Sequence, residues 1–135
     1  VSNADPMALV LATSASQAVE RIGMPEAQII LSQAVLYVAT APKSNSACNA
    51  VFAALENVKS HKTTVPAHLQ DAHYKGSKKL GHGIGYRYAH DYPNHYVKQQ
   101  YLPDEIRDAR FYEPGTNGHE KEIREWMEFI RKSAQ

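Results

Sequence analysis

Residues 27–60 read AQIILSQAVLYVATAPKSNSACNAVFAALENVKS, which is two helical patterns joined by a short link, and they decide the fold class. In the first pattern, apolar or small residues recur at about 3.6-residue spacing until Pro42 ends it: Ala27, Ile30, Leu31, Ala34, Val35, Val38 and Ala41. The second pattern begins after Ser44 or Ser46, both good caps, and aligns Ala47, Ala50, Val51, Ala54, Leu55 and Val58. A link this short makes neighbouring helices fold back on each other, which predicts an antiparallel helical array.

One further helix is predicted on each side of this stretch. Upstream, Asp5 is suited to cap a helix that has Pro6 in its first position and Gly23 after its last turn. Downstream, Asn117 and Glu120 have the spacing of a capping box. The helix that follows them has the apolar face Ile123, Trp126, Met127 and Ile130. The predicted fold class is therefore mainly α, a compact helical array.

The chain after Ser60 loses this regularity. Residues 67–80 predict a short helix that Gly81 ends. Residues 81–118 keep no long period, and their many glycines, tyrosines and histidines predict a long irregular loop. Within that loop, residues 96–101 are compatible with a short strand. The middle of the chain is thus expected to wrap a helical core rather than to extend it.

Composition and charge exclude several classes of protein. The 135 residues are 43% hydrophobic with a net charge of +1, which suits one domain and gives no overall electrostatic argument for binding nucleic acid or membranes. The longest apolar run is interrupted by Ser32 and Gln33 and is shorter than the roughly 20 residues of a membrane span. The lone Cys48 cannot form an internal disulfide, which favours a reducing compartment and predicts a cytoplasmic protein.

Motifs for nucleotide, metal or catalytic chemistry are not formed. GHGIG at residues 81–85 has the wrong spacing for a dinucleotide fingerprint, and KGSKKLG at residues 75–81 does not match a P-loop, so this chain is expected neither to bind nor to hydrolyse ATP. The histidines at positions 68, 73, 82, 90 and 95 lack the spacing of a strong zinc signature. His90 and Asp91 are adjacent, and neighbours in an extended chain point in opposite directions, which disfavours a general-base pair. No catalytic or metal-binding residue is assigned.

Positive charge is concentrated in the middle of the chain. Between Asn57 and Pro103, seven lysines or arginines stand against only two acidic residues, Asp71 and Asp91. The residues predicted to contact nucleic acid are Lys59, Lys62, Lys75, Lys78, Lys79 and Arg87. A basic middle and an acidic end of the chain also suit a contact between subunits, so the charge alone does not decide between the two roles.

Tyrosines are interleaved with this charge and have two interpretations. The tyrosines at positions 86, 88, 92 and 96, with Arg87 and Lys98 between them, are arranged as a platform for stacking bases would be. The same residues suit a loop that fastens itself to a core by burying rings whose hydroxyls stay hydrogen-bonded. The second interpretation is favoured, and the first stays open.

Three apolar residues lie off the main helical stripes, namely Ile29, Leu36 and Phe52. A helix that is apolar on a second face is either central to its domain or part of a subunit contact. Both roles stay open at this point, and Ile29, Leu36 and Phe52 are the residues predicted for an oligomer interface.

Three runs of sequence together resemble the C-terminal region of the MgsA/RarA family of AAA+ ATPases, which includes the Werner-helicase-interacting protein and is related to clamp loaders. They are AVERIGMPEAQIILSQAVLYVATAPKSNSACNA at 18–50, VPAHLQDAHYKGSKKLGHGIGYRYAHDYPNHYVKQQYLP at 65–103 and RFYEPGTNGHEKEIREW at 110–126. The most telling motifs are A-P-K-S-N-S, H-D-Y-P and Q-Q-Y-L-P. The resemblance extends from about Ala4 to Lys132.

The resemblance implies a helical fold like the collar of a clamp loader. Residues 1–22 would be the end of a small helical lid region and the first helix, and residues 23–135 an oligomerisation domain of the MgsA type. It further implies a homotetrameric, DNA-dependent ATPase for replication-fork maintenance, recombination and repair. ATP and Mg²⁺ would bind an N-terminal module that these residues do not contain.

The partners that the resemblance implies are single-stranded or forked DNA and single-strand-binding protein. The expected location is the cytoplasm, associated with the nucleoid in a bacterium. The alternative function is a nucleic-acid-contacting module that uses the basic segment 57–103.

Overall fold

The computed structural model describes residues 1–71, 73 and 80–133, and in these residues the regular structure is helical with no strand. The α-helices are α1 (Met7–Ile22), α2 (Ala27–Thr40), α3 (Ser46–Ser60) and α4 (Glu120–Ser133). Short 3-10 turns cover Ser2–Ala4, Ala67–Leu69, Ala89–Asp91, Pro93–His95 and Asp104–Ile106. The prediction of a mainly α fold is confirmed. Across the described residues, no helix combines the length and the hydropathy needed to cross a membrane.

The chain divides into two compact units. The first contains Val1–Val51 and Tyr112–Glu125, and the second contains Phe52–Phe111 and the chain from Trp126 onward. The divisions fall inside α3 and α4, so each of these helices contributes residues to both units.

In the first unit, α1 and α2 pack against each other through small residues. Ala8 and Ala15 of α1 and Ala27 of α2 are buried. The predicted cap forms, because Oδ1 of Asp5 accepts a hydrogen bond from the backbone N–H of Met7 at 3.1 Å. The hydroxyl of Tyr37 donates to the same carboxylate at 2.9 Å, so Asp5 joins the start of α1 to α2.

The apolar stripes predicted for α2 and α3 are wider than the faces that these helices bury. On α2 the half-buried positions include Ile30, Ala34 and Val38, whereas Leu31 and Val35 are exposed. The half-buried stripe of α3 is Ala47, Ala50, Ala54 and Asn57. The remaining predicted stripe residues of α3 are exposed: Val51, Leu55 and Val58. The periodicity located the helices correctly, but it overestimated the buried face because small alanines do most of the packing.

The second unit is built around two buried residues of the irregular loop, Val97 and Ile106. Residues 96–101 do not form the short strand with which their sequence is compatible. The backbone N–H and C=O of Arg87 instead bond to the side chain of Gln99, at 3.1 and 2.9 Å. The side-chain amide of Gln99 thus takes the backbone hydrogen bonds that a neighbouring strand would form, so no pairing of strands begins here.

The helix predicted for residues 67–80 is also wrong over its described part. Only the 3-10 turn Ala67–Leu69 forms, and Gln70 is already extended with ψ of 150°. Oδ1 of Asp71 accepts from the backbone N–H of His73 at 2.8 Å, and this local bond competes with helical bonding. The rest of the predicted helix lies almost entirely outside the described residues.

Candidate functional site

The outer face of α2, which we define as Ile29, Ser32 and Leu36, contains the two residues of the predicted interface that lie in the first unit, Ile29 and Leu36. Ile29 is 76% exposed and Leu36 is 61% exposed. They are seven residues apart, about two helical turns, and therefore share one side of α2. That side is opposite the half-buried face of Ile30, Ala34 and Tyr37. The predicted residues Ile29 and Leu36 thus form a solvent-facing apolar surface.

Phe52, the third residue of the predicted interface, lies on α3 and is 64% exposed. Helical periodicity puts it opposite the alanine stripe of α3. Apolar residues on the same helix are exposed beside it: Val51, Leu55 and Val58. α3 therefore also carries apolar surface that the chain itself does not cover.

The most enclosed polar group of the first unit is the carboxylate of Glu120, which is 0% exposed. Oε2 accepts from the hydroxyl of Ser44 at 2.7 Å and from the backbone N–H of Gly115 at 2.9 Å. Oε1 accepts from the hydroxyls of Ser46 and, at 3.3 Å, of Tyr112. Because a buried charge is tolerated only when it is fully hydrogen-bonded, these donors make Glu120 the junction of three chain segments.

This junction replaces the predicted capping box of Asn117 and Glu120. The carboxylate of Glu120 is already committed to the serines, and the side chain of Asn117 donates to the carbonyl oxygen of Lys43 at 3.0 Å. The ammonium of Lys43 in turn donates to the carbonyl oxygens of Val38 at 2.7 Å and Ala41 at 2.5 Å, at the C-terminal end of α2. The run A-P-K-S-N-S thereby ends α2, begins α3 and holds α4.

The pKa of Glu120 reflects this environment. Burial raises the pKa, but the hydrogen bonds from Ser46, Ser44, Gly115 and Tyr112 outweigh burial and hold the pKa below its ordinary value. A carboxyl group whose pKa is lowered by folding stabilises the fold above its unfolded-state pKa of about 4.3. That stabilisation is lost as the pH falls through the lowered folded-state pKa.

We therefore expect the free energy of unfolding to decrease below about pH 4, and to decrease less steeply in Glu120→Gln, which has no proton to take up at this position. Urea unfolding at a series of acidic pH values measures both slopes. The pKa values of Asp71 and Asp104 are also lowered. These two groups are present in the unmodified chain and in Glu120→Gln alike, so they do not affect the difference between the two slopes. Equal slopes would contradict the prediction.

The predicted nucleic-acid contacts are only partly described. Lys59, Lys62 and Arg87 are exposed. Lys59 lies 3.9 Å from the carboxylate of Glu56, a weak surface pair. Lys75, Lys78 and Lys79 lie outside the described residues. Lys59, Lys62 and Arg87 of the basic segment therefore present their charges to solvent.

The histidines of the loop are arranged as rings in contact with each other and with tyrosine. The ring of His90 lies 5.0 Å from that of Tyr88 and 4.9 Å from that of His95. Among the residues that the structure describes, no three His, Cys, Asp or Glu side chains converge as a metal site. His90 and His95 are exposed, and each contacts a neighbouring ring.

The interpretation of the tyrosines at positions 86, 88, 92 and 96 as buried anchors is supported only at Tyr96, which is half-buried. Tyr86, Tyr88 and Tyr92 are each more than a third exposed. The loop is held instead by Val97 and Ile106 and by bonds from side chains to the backbone. One such bond joins Nε2 of His68 to the carbonyl oxygen of Gln100 at 2.7 Å. The rings of Tyr86, Tyr88 and Tyr92 therefore remain accessible for other contacts.

A cleft of about 200 Å³ lies within the second unit. Its lining comes from the irregular loop and from the last turn of α4: Arg87, Tyr92, Pro93, Asn94, Tyr96, Val97, Lys98, Ile130 and Ser133. It contains two tyrosines and two cations, and no acidic residue. It includes part of the predicted stacking platform, and it contains Lys98, which was not among the predicted contact residues.

Comparison with known proteins identifies close relatives of the chain. A sequence model of a protein family, described as MgsA AAA+ ATPase C terminal, matches residues 1–131. Replication-associated recombination protein A of Bacillus subtilis is 47% identical over 116 residues, which cover 85% of this chain and 28% of that protein. The protein of the same name from Escherichia coli K12 is 39% identical over 137 residues, covering 100% of this chain and 31% of the relative. An uncharacterized AAA domain-containing protein of Mycobacterium tuberculosis is 46% identical over 132 residues, covering 97% and 29%. The chain thus spans less than a third of the length of these relatives.

Proposed function

Because the chain belongs to the family of MgsA AAA+ ATPase C-terminal regions, we propose that it is the oligomerisation domain of a longer, DNA-dependent AAA+ ATPase. That protein would act in replication-fork maintenance, recombination and repair, in keeping with the relatives named replication-associated recombination protein A. The chain lacks a P-loop motif, so ATP and Mg²⁺ would bind elsewhere in the longer protein. Its cellular location would be the cytoplasm, on the nucleoid.

The observation that carries this proposal is the exposed outer face of α2. An apolar side chain loses favourable burial when it faces water, and contiguous apolar surface of this kind marks interaction sites. A specific interface needs about 800 Å² from each partner. Ile29 and Leu36 on α2, with Phe52 and its apolar neighbours on α3, offer such surface on two helices. The proposed assembly is a homotetramer.

We expect Leu36→Glu to weaken self-association at least tenfold, because an unpaired charge in an apolar contact must give up its hydration. Multi-angle light scattering over a range of protein concentrations gives the mass of the assembly. Circular dichroism of the same samples reports whether the helices are retained.

Ile84→Glu is the matched control, since Ile84 is 65% exposed and lies outside the four helices. It introduces the same charge at an apolar residue of similar exposure, and its assembly should equal that of the unmodified chain. A monomeric unmodified chain at high concentration, or equal effects of the two variants, would refute the assignment of the interface to α2.

A second candidate function is contact with single-stranded or forked DNA through the basic segment. It is favoured by the exposure of Lys59, Lys62 and Arg87 and by the excess of five positive charges between Asn57 and Pro103, seven basic against two acidic residues. Phosphate contacts release counterions, so the affinity of such a contact falls steeply with salt. Binding of DNA to the chain as a function of salt tests this function. Single-strand-binding protein would be a further partner of the longer protein.

A further inference from the structure

We propose that the cleft of the second unit binds one base of a single-stranded nucleic acid together with an adjacent phosphate. The base would stack on Tyr92 and Tyr96, and the phosphate would bind Arg87 and Lys98. This inference rests on the proposed DNA contact of the basic segment, and it assigns that contact a defined subsite.

The size of the cleft favours one ring system over a larger ligand. Sites for whole small molecules usually measure roughly 300–1,000 Å³, and this cleft measures about 200 Å³. It is open to solvent, and Tyr92 at its rim is 38% exposed. A single flat group attached to something larger, as a base is attached to its strand, fits a small cleft of this kind.

The cations of the cleft are available to an anion. The guanidinium of Arg87 has one long hydrogen bond, 3.5 Å to the carbonyl oxygen of Lys98. Neither Arg87 nor Lys98 forms an ion pair within the described part of the chain. The backbone of Arg87 is fixed from both sides by the amide of Gln99. Arg87 is thus positioned by its backbone while its charge stays free.

The turn that carries the tyrosines is conformationally strained. Asn94 and His95 are consecutive non-glycine residues with φ of 55° and 51°, in the left-handed region. The turn is held by bonds from the N–H of His95 to the carbonyl oxygen of Tyr92 at 3.0 Å and from the N–H of Tyr96 to that of Pro93 at 3.3 Å. Strain of this kind is concentrated at ligand sites, and here the turn brings Tyr92, Asn94 and Tyr96 to one cleft.

A peptide ligand suits this site less well than a nucleic acid. Strand addition needs a run of unpaired backbone groups, and the N–H of Tyr96 and the carbonyl of Lys98 already have partners. Alternation of aromatic rings and cations without acidic residues is instead the arrangement that binds single strands with little sequence preference.

The experiment compares a labelled oligo(dT) of about 16 nucleotides with an abasic strand of the same length and charge, by fluorescence anisotropy at several salt concentrations. The chain should bind oligo(dT) more tightly than the abasic strand. Tyr92→Leu should lower affinity for oligo(dT) about tenfold and leave the abasic strand unaffected. Lys98→Ala should weaken binding of both strands and reduce the salt slope by about 0.7 for the lost phosphate contact.

The matched controls are Tyr86→Leu and Lys121→Ala, which change exposed residues of the same types outside the cleft. Equal affinity for the two strands, or equal effects of Tyr92→Leu and Tyr86→Leu, would overturn the base site. If binding still falls with salt in that case, the proposed DNA contact of the basic segment is retained. Absence of binding to either strand would overturn both. Displacement of oligo(dT) by an acidic peptide containing an aromatic residue, abolished by Tyr92→Leu, would reassign the cleft to peptides.

Discussion

Glu120→Ala should lower the free energy of unfolding by about 3–4 kcal/mol. The substitution removes a fully buried acceptor and leaves the hydroxyls of Ser44, Ser46 and Tyr112 and the N–H of Gly115 without their partner. Hydrogen bonds to a charged group contribute more than neutral ones, and each buried donor left unpaired adds its own cost. Urea unfolding followed by circular dichroism measures the loss.

The control for this variant is Glu125→Ala, because Glu125 is an exposed carboxylate on the same helix. It should change stability by no more than about 0.5 kcal/mol. Hydrogen exchange gives a local readout: the N–H of Gly115 should lose protection in Glu120→Ala and keep it in Glu125→Ala. If both variants lose the same stability, the carboxylate junction is not what holds the first unit.

The helices were predictable from sequence because their signals are local. Asp5 caps α1 and Gly23 ends it with φ of 77°, as the pattern indicated. The junction at Glu120 was not predictable, since its serine partners lie 76 and 74 residues away and no period connects them. The nearby Asn117 offered a plausible local partner instead. In the sequence, only the polar run Ser44-Asn45-Ser46 at the start of α3 indicated hydrogen-bond donors for a buried acceptor.

The loop was predicted as irregular, but the means by which it is held were not. Tyrosine rings were expected to anchor it, whereas Gln99 and His68 bond to its backbone. Glutamine has no positional signal comparable to that of a capping serine or a turn glycine, because its long side chain can reach partners in many directions. The same property explains why residues 96–101, with suitable strand composition, do not enter a sheet.

The apolar surface of α2 and α3 could be predicted from local sequence, whereas the cleft depends on residues that are distant in sequence. Ile29, Leu36 and Phe52 were identified by their position off the helical stripes, and each is exposed. The cleft could be anticipated only as a group of alternating tyrosines and cations. Its boundary depends on Ile130 and Ser133 of α4, which are more than 30 residues in sequence from Lys98, the nearest lining residue of the loop.

Gly118→Ala should lower the free energy of unfolding by about 2–4 kcal/mol, because two independent costs combine. Gly118 has φ of 54°, which an L-residue adopts at a cost of about 1 kcal/mol. A Cβ at this position would also lie 2.1 Å from the carbonyl oxygen of Ala4 and 2.7 Å from Cγ of Pro42. The same carbonyl of Ala4 accepts the N–H of His119 at 2.9 Å, so relieving the clash would disrupt that bond.

Gly85→Ala separates the two costs, since Gly85 has φ of 83° and nothing within 4 Å of its would-be Cβ. It should lose only the conformational term, about 1 kcal/mol. The difference between the two variants in urea unfolding therefore measures the close approach of Gly118 to Ala4. Exchange of the His119 N–H should accelerate in Gly118→Ala alone. Equal losses in the two variants would mean that the backbone at Ala4 yields without cost, and that Gly118 is required only for its φ.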